Sequence, residues 1–140
     1  MDHRIFYLIK NTENAMSVYI KQQFSKAGLK VTPGQLAILF LLKKKNPQTM
    51  SELSLQLETG NSAITRAIDR MEKSGLVLRN SSSKDRREYH ITITEEGIAE
   101  TGRVQKVISS INKKIENEFS QSEMDLFKTT LLKMYSLFKG

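Results

Sequence analysis

The sequence predicts a mainly α-helical fold carrying one small β-hairpin. Apolar residues recur at spacings of three and four over most of the 140 residues, the period of helices with one buried face. From Tyr89 to Thr94 the period changes to two, with Tyr89, Ile91 and Ile93 alternating with His90, Thr92 and Thr94, as in a half-buried strand. The stretch from Ser62 to Gly97 runs amphipathic helix, glycine, strand, polar basic loop, strand and helix. That order predicts a winged helix-turn-helix lobe, in which one helix fits a DNA major groove and the loop fits the backbone or minor groove.

The elements follow in order. Residues 4–27 read as a helix striped by Ile5, Leu8, Ile9, Met16, Tyr19, Ile20 and Phe24, with Gly28 as its stop. Thr32-Pro33-Gly34-Gln35 opens a second helix: Thr32 caps, Pro33 occupies the first helical position and Gln35 reaches back. Leu36 to Leu42 is apolar nearly all round, so this helix is expected at the buried centre until Asn46-Pro47 breaks it. Thr49-Met50-Ser51-Glu52 is a further capping box, opening a short helix with Leu53 and Leu57. Glu58-Thr59-Gly60-Asn61 supplies a glycine turn, and Asn61 or Ser62 is expected to cap the next helix, which runs to about Ser74. Two short helices on so tight a turn form the helix-turn-helix pattern. Strands are expected over Leu76–Asn80 and Glu88–Thr94, and the loop Ser81–Arg87 is too polar to bury. Thr94-Glu95-Glu96-Gly97 caps a long helix to about Asn117, striped by Val104, Val107, Ile108, Ile111 and Ile115. A last helix from Ser122 carries Met124, Phe127, Leu131, Met134, Tyr135 and Phe138.

One chain of this length fits one domain with a real core. Within it, residues 32–97 form the expected winged lobe, and residues 1–31 and 98–140 supply flanking helices. Their apolar stripes exceed what so small a lobe can cover, and a second copy would bury the surplus. Packing of the same helices within one chain is the alternative. Symmetric pairs read DNA half-sites, which favours the homodimer.

Composition narrows the function. The net charge of +7 is uneven. Residues 1–31 carry five basic against two acidic residues, residues 32–94 ten against six, and residues 95–140 seven against seven. The positive charge lies in and before the expected lobe, which suits an anionic partner such as double-stranded DNA. The chain has no cysteine, which excludes disulfides, thiolate metal ligands and thiol redox switching. Its two histidines, His3 and His90, are far apart, so neither a metal nor another cofactor is expected. No apolar run reaches the 18 or so residues of a membrane span, and no signal-peptide segment opens the chain, so a cytoplasmic address is expected.

On the expected recognition helix, Ile64, Ala67, Ile68 and Met71 make the buried face, leaving Ser62, Ala63, Thr65, Arg66, Asp69 and Arg70 outside it. Small and hydroxyl side chains let a helix enter a groove closely. Ala63 can touch a thymine methyl, Ser62 and Thr65 can bond bases or phosphates, and Arg66 can fork onto a guanine. The plainer reading is a solvated face with Asp69 paired to Arg66 or Lys73. In the loop, Asp85 stands between Lys84 and Arg86 and two before Arg87. A carboxylate there can hold one arginine preorganised for the minor groove, although an ordinary charged hairpin tip has the same composition.

Residues 32–97 resemble the MarR family of bacterial transcription regulators. The resemblance rests on Thr32-Pro33-x-Gln35-Leu36, on Ser62-Ala63-Ile64-Thr65-Arg66, and on Asp69-Arg70-Met71-Glu72-x-x-Gly75-Leu76-Val77-x-Arg79. It continues through the Asp85-Arg86-Arg87 wing and the Ile91-Thr92-Ile93-Thr94-Glu95-x-Gly97 exit. Each piece is weak alone and the set is specific; the flanking helices agree in number and order, so nearly the whole chain is covered. The resemblance implies an obligate homodimer that binds a pseudo-palindromic operator, usually to repress. It places Arg87 in the minor groove with Asp85 as its anchor, Ser62, Ala63, Thr65 and Arg66 at bases or nearby phosphates, and Arg70 and Arg79 at the DNA backbone. It also implies release by a small phenolic or other lipophilic anion. The chain contains no glycine-rich phosphate loop, His-Glu-x-x-His or Gly-x-Ser-x-Gly, so an enzyme is not expected. A winged-helix module that binds only protein is the rival, and its wing should lack the basic residues Lys84, Arg86 and Arg87.

Overall fold

The computed structural model describes residues 4–57, 60–81 and 88–140. The chain runs α1 (Ile5–Lys26), a 3-10 turn (Pro33–Gln35), α2 (Leu36–Lys44), β1 (Gln48–Thr49), α3 (Met50–Leu57), α4 (Asn61–Lys73), β2 (Val77–Ser81), β3 (Tyr89–Ile93), α5 (Glu95–Glu118) and α6 (Gln121–Lys139). It divides into two compact units, Met1–Gln105 and Lys106–Gly140, so the division falls inside α5. The mainly helical architecture with a small antiparallel sheet agrees with the sequence reading.

The helix ends form where the glycines and caps put them. At the end of α1, Gly28 has φ +68, and the amides of Gly28 and Leu29 donate to Ser25 and Phe24 carbonyls at 3.0 and 3.1 Å. That crossed pair is a Schellman motif, open to glycine because its φ is positive. The end of α4 repeats it: Gly75 has φ +82, and Gly75 and Leu76 donate to Glu72 and Met71. Leu76 and Met71, both fully buried, supply the apolar contact that accompanies the motif. The Thr32–Gln35 capping box is present, and Thr49 Oγ1 accepts the Glu52 amide at 3.1 Å.

Several expectations are corrected. Gly60 precedes α4, with no side-chain cap; Asn61 is already the first helical residue. The last helix begins at Gln121, capped by Ser120 in a box with Glu123, and not at Ser122. The second helix is not enclosed all round: Ile38, Leu39 and Leu42 are buried, whereas Ala37 is exposed and Phe40 half-buried. A third strand, β1, lies outside the two expected; it pairs antiparallel with β3 (Gln48 with Ile91, Thr49 with His90), giving the order β1-β3-β2. Tyr89 keeps the phase of the alternation but is exposed, because it pairs with Ser81 at the open end of the sheet.

The core of the first unit joins Leu39, Leu42, Leu53, Ile64, Ile68, Met71, Leu76, Val77, Ile91 and Val104. Full burial of each such side chain is worth about 1.5–3 kcal/mol. Among the polar side chains buried with this core, Gln48 and Glu100 answer backbone groups. Gln48 donates from Nε2 to the Leu41 and Lys45 carbonyls at the end of α2 and accepts from Gln56. Glu100, fully buried on α5, accepts the amides of Lys30 and Val31 at 2.6 and 2.8 Å and the Arg103 guanidinium at 2.8 Å.

α4 and the start of α5 meet at a close approach. Thr94 Oγ1 donates to the Gly75 carbonyl at 2.6 Å and accepts the Gly97 amide at 2.9 Å, while the Thr94 amide bonds the Leu76 carbonyl. A Cβ at Gly97 would lie 2.3 Å from the Leu76 oxygen, so glycine is required here by space. The second unit holds the remainder of α5 and α6. No residue of α6 is buried, and Phe127, Leu131, Leu132, Tyr135, Leu137 and Phe138 are exposed.

Two expectations follow. Gly97→Ala should force the backbone of Leu76 aside and lower stability by about 1–3 kcal/mol, read from the denaturation midpoint; an unchanged midpoint would mean that the contact relaxes freely. The second concerns pH. Burial acts to raise the pKa of the Glu100 carboxyl, but the Arg103 hydrogen bond, the Val31 and Lys30 amides and the Arg103 charge together hold it below the ordinary 4.5. A carboxyl depressed by folding stabilises the fold above its unfolded pKa, and that contribution is lost as pH falls through the folded one. Stability should decline as pH drops below 4.5, and Glu100→Gln should flatten that decline while lowering stability at neutral pH. Equal acid slopes in urea titrations of parent and variant would assign the decline to other carboxylates.

Candidate nucleic-acid interface

α3 and α4 form the helix-turn-helix. The two helices are tied at their near ends, where Ser54 Oγ donates to Asn61 Oδ1 at 2.6 Å. Asn61 therefore acts across the motif and not as a cap. α4 turns Ile64, Ile68 and Met71 into the core, with Ala67 half-buried beside them. Its other side presents Ser62, Thr65, Arg66 and Arg70 exposed and Ala63 half-buried.

Chemistry divides this set. The Thr65 hydroxyl donates to the Asn61 carbonyl at 2.8 Å, so toward a ligand it is free to accept. Arg66 and Arg70 are four residues apart, and their side chains make no hydrogen bond or ion pair among the described residues. Two such guanidiniums on one helix face present ten N–H donors to any anion that approaches. The N-terminal turn of the same helix carries partial positive charge.

Asp69 pairs with neither Arg66 nor Lys73. It is half-buried and forms an ion pair with Arg79 Nη2 on β2. The chain returns from Gly75 alongside α4, and the Arg79 amide donates to Glu72 Oε2 at 3.1 Å, which delivers the Arg79 side chain to Asp69. The guanidinium lies 5.6 Å over the Tyr89 ring, and its Nε is buried without a hydrogen-bond partner among the described residues. Arg79 is thus set apart from Arg66 and Arg70: it braces the recognition helix to the sheet, with its side chain only 21% exposed. Lys84, Asp85, Arg86 and Arg87 lie outside the described residues, as does His3.

Residue reading along the chain did not single out the concavity beside this helix. A shallow groove of about 870 Å³ is lined by Met50, Ser51, Ser54 and Leu55 of α3, by Gly60, Asn61 and Thr65, and by Arg79 and Tyr89. Leu55 is 84% exposed on its rim. A signal was there: Leu55 is two residues from both Leu53 and Leu57, off the helical period that buries Leu53 and half-buries Leu57. Among the described residues no group of three His, Cys, Asp or Glu could hold a metal ion, and no helix is long and apolar enough to cross a membrane.

A model of the MarR family matches residues 31–89. The chain is 40% identical over 67 residues to the HTH-type transcriptional repressor MdtR of Bacillus subtilis (strain 168), covering 48% of this chain and 43% of that protein. It therefore spans less than half the length of that relative. It is 30% identical over 117 residues to the homoprotocatechuate degradative operon repressor of Escherichia coli, covering 84% of this chain and 77% of that one. Among solved structures, a crystal structure of MarR superposes with TM-score 0.76 at 20% identity, covering 94% of this chain and 95% of that chain. Reduced AbfR bound to DNA superposes with TM-score 0.72 at 23% identity, covering 95% and 91%; AbfR is a protein of Staphylococcus epidermidis. At these identities the structural likeness is one of fold.

The brace between α4 and β2 is measurable. A double-mutant cycle of Asp69→Asn and Arg79→Met should give a coupling of about 0.5–1 kcal/mol, discounted because the Asp69 carboxylate is half-exposed. Additive losses in the urea midpoint would show that the two side chains are held independently.

Proposed function

Since the chain belongs to the MarR family of transcription regulators, we propose that it is a homodimeric repressor that binds a pseudo-palindromic operator and is released by a small lipophilic anion. The observation that carries the DNA reading is the outer face of α4: small and hydroxyl side chains at its N-terminal turn, followed by Arg66 and Arg70 without ion-pair partners among the described residues. Ser62, Ala63 and Thr65 let the helix sit deep in a major groove, Thr65 accepting from a base amino group. Arg66 forks onto a guanine, and Arg70 meets a phosphate. Arg79 contributes through its brace and, from its exposed edge, to a backbone phosphate. In the wing, Arg87 enters the minor groove with Asp85 as its anchor, and Lys84 and Arg86 add backbone contacts.

The apolar surface supports the dimer. α1 exposes Ile5, Phe6, Leu8 and Ile9, and α6 exposes Phe127, Leu131, Tyr135 and Phe138. Faces of that kind are covered in a stable oligomer. The lobe of residues 32–97 then reads one half-site, and residues 1–31 and 98–140 supply the dimerisation helices. For the effector, support comes from the Escherichia coli relative, whose name gives the operon it represses as one for homoprotocatechuate degradation. That compound is a phenolic anion of the expected class.

Two outcomes are expected. Arg66→Ala should cost about 1–3 kcal/mol on a duplex selected by the parent and much less on random duplex at the same salt; equal losses on both would move Arg66 to a phosphate. Sedimentation at micromolar concentration should give twice the chain mass of 16.0 kDa. A monomer at that concentration would contradict the dimer, since one lobe cannot span two half-sites.

A further inference from the structure

The linker between α1 and the 3-10 turn is tied to two places at once. Glu100, on the second turn of α5, has no solvent exposure, and its Oε2 accepts the amides of both Lys30 and Val31. Its other oxygen is held by Arg103 Nε and Nη2 at 3.2 and 2.8 Å. The linker so fixed sends the Lys30 side chain the other way. Lys30 Nζ donates to the Ser74 carbonyl at 3.4 Å, at the last turn of α4, and forms an ion pair with Glu96 on the first turn of α5. A cation over the final carbonyls of a helix is favourably placed for both hydrogen bonding and the helix dipole. The Lys30–Glu96 pair is half-exposed and contributes little by itself. Its value is geometric, because the Glu100 anchor beneath it is buried and held by hydrogen bonds to both carboxylate oxygens.

We propose that Lys30 and Glu100 are positioning residues for DNA reading: together they lock the C-terminal end of the recognition helix to the start of α5, so that the direction of α4 follows α5. This rests on the DNA-binding function proposed above. Glu100 is wholly buried and cannot touch DNA, and deleting its charge makes the protein more positive. Electrostatics alone then predicts equal or tighter DNA binding; loss of positioning predicts weaker binding to the selected site only.

The test compares three variants of the full chain, Lys30→Met, Glu100→Gln and Val104→Ala. Val104 is fully buried on α5, and its aliphatic side chain can make none of the hydrogen bonds or ion pairs that tie the linker to α4 and α5, so its truncation destabilises the core while leaving those ties in place. Each variant is titrated against a duplex that the parent enriched from randomised DNA and against random duplex, at one salt concentration. Lys30→Met and Glu100→Gln should lower the ratio of selected to random affinity by about fivefold or more, while Val104→Ala keeps the parent ratio. If Glu100→Gln does not fold, Lys30→Met decides, since that side chain is half-exposed. Parent ratios in Lys30→Met and Glu100→Gln, or an equal fall in Val104→Ala, would overturn the inference. If the parent enriches no duplex, the DNA-binding reading falls first and takes this inference with it.

Discussion

The close approach between the end of α4 and the beginning of α5 is the constraint on which this structure turns. Gly75 leaves the helix through a positive φ, Leu76 drops into the core, and the Leu76 carbonyl sits where a Cβ on Gly97 would be. Thr94 closes the joint with bonds to both carbonyls. Glycine at two points, and a threonine directly after β3, thus fix where the recognition helix ends. The remaining contacts of the lobe, including the Asp69–Arg79 brace and the Lys30 bridge, work from that fixed end.

The lobe is small, and its interior combines apolar packing with a few polar side chains that answer backbone groups. Gln48 closes the carbonyl end of α2, and Glu100 closes the amides of the linker. Such groups stabilise only when their partners are all present, because an unpaired buried amide or carboxylate costs more than a made bond returns. The outer helices follow the opposite rule. α1 and α6 leave large apolar side chains in solvent, and the face of α4 opposite its core side leaves two arginines without ion-pair partners among the described residues. Under the function proposed above, the first kind of surface meets a second copy of the chain and the other meets DNA.

Much of this was legible in the sequence because it is local. Gly28, Gly75, the Thr32–Gln35 box and the Thr94 cap announce helix ends within four residues of themselves. The two-residue period of β3 announced the hairpin. What was hidden depends on partners distant in sequence. β1 is two residues long and shows no period; it exists because Gln48 and Thr49 find β3 more than forty residues on. Asp69 had helical neighbours at ordinary pairing distances, yet the turn at Gly75 brings Arg79 to it instead. Asn61 looked like a cap, and its bond to Ser54 of the preceding helix shows a different use of the same side chain. For the interface, the outer face of α4 could be read from the helical period, whereas the groove beside it required the folded positions of α3 and the sheet.

The central claim is that the exposed face of α4 meets the phosphates and base edges of duplex DNA. Equilibrium affinity for a duplex selected by the protein, measured across a range of salt concentrations, tests this most directly. Each phosphate neutralised contributes about −0.9 to the slope of log affinity against log salt. A linear plot with a slope steeper than about −3, as several arginine and lysine contacts require, would agree with the account. A flat plot, or no duplex enriched at any salt, would contradict it.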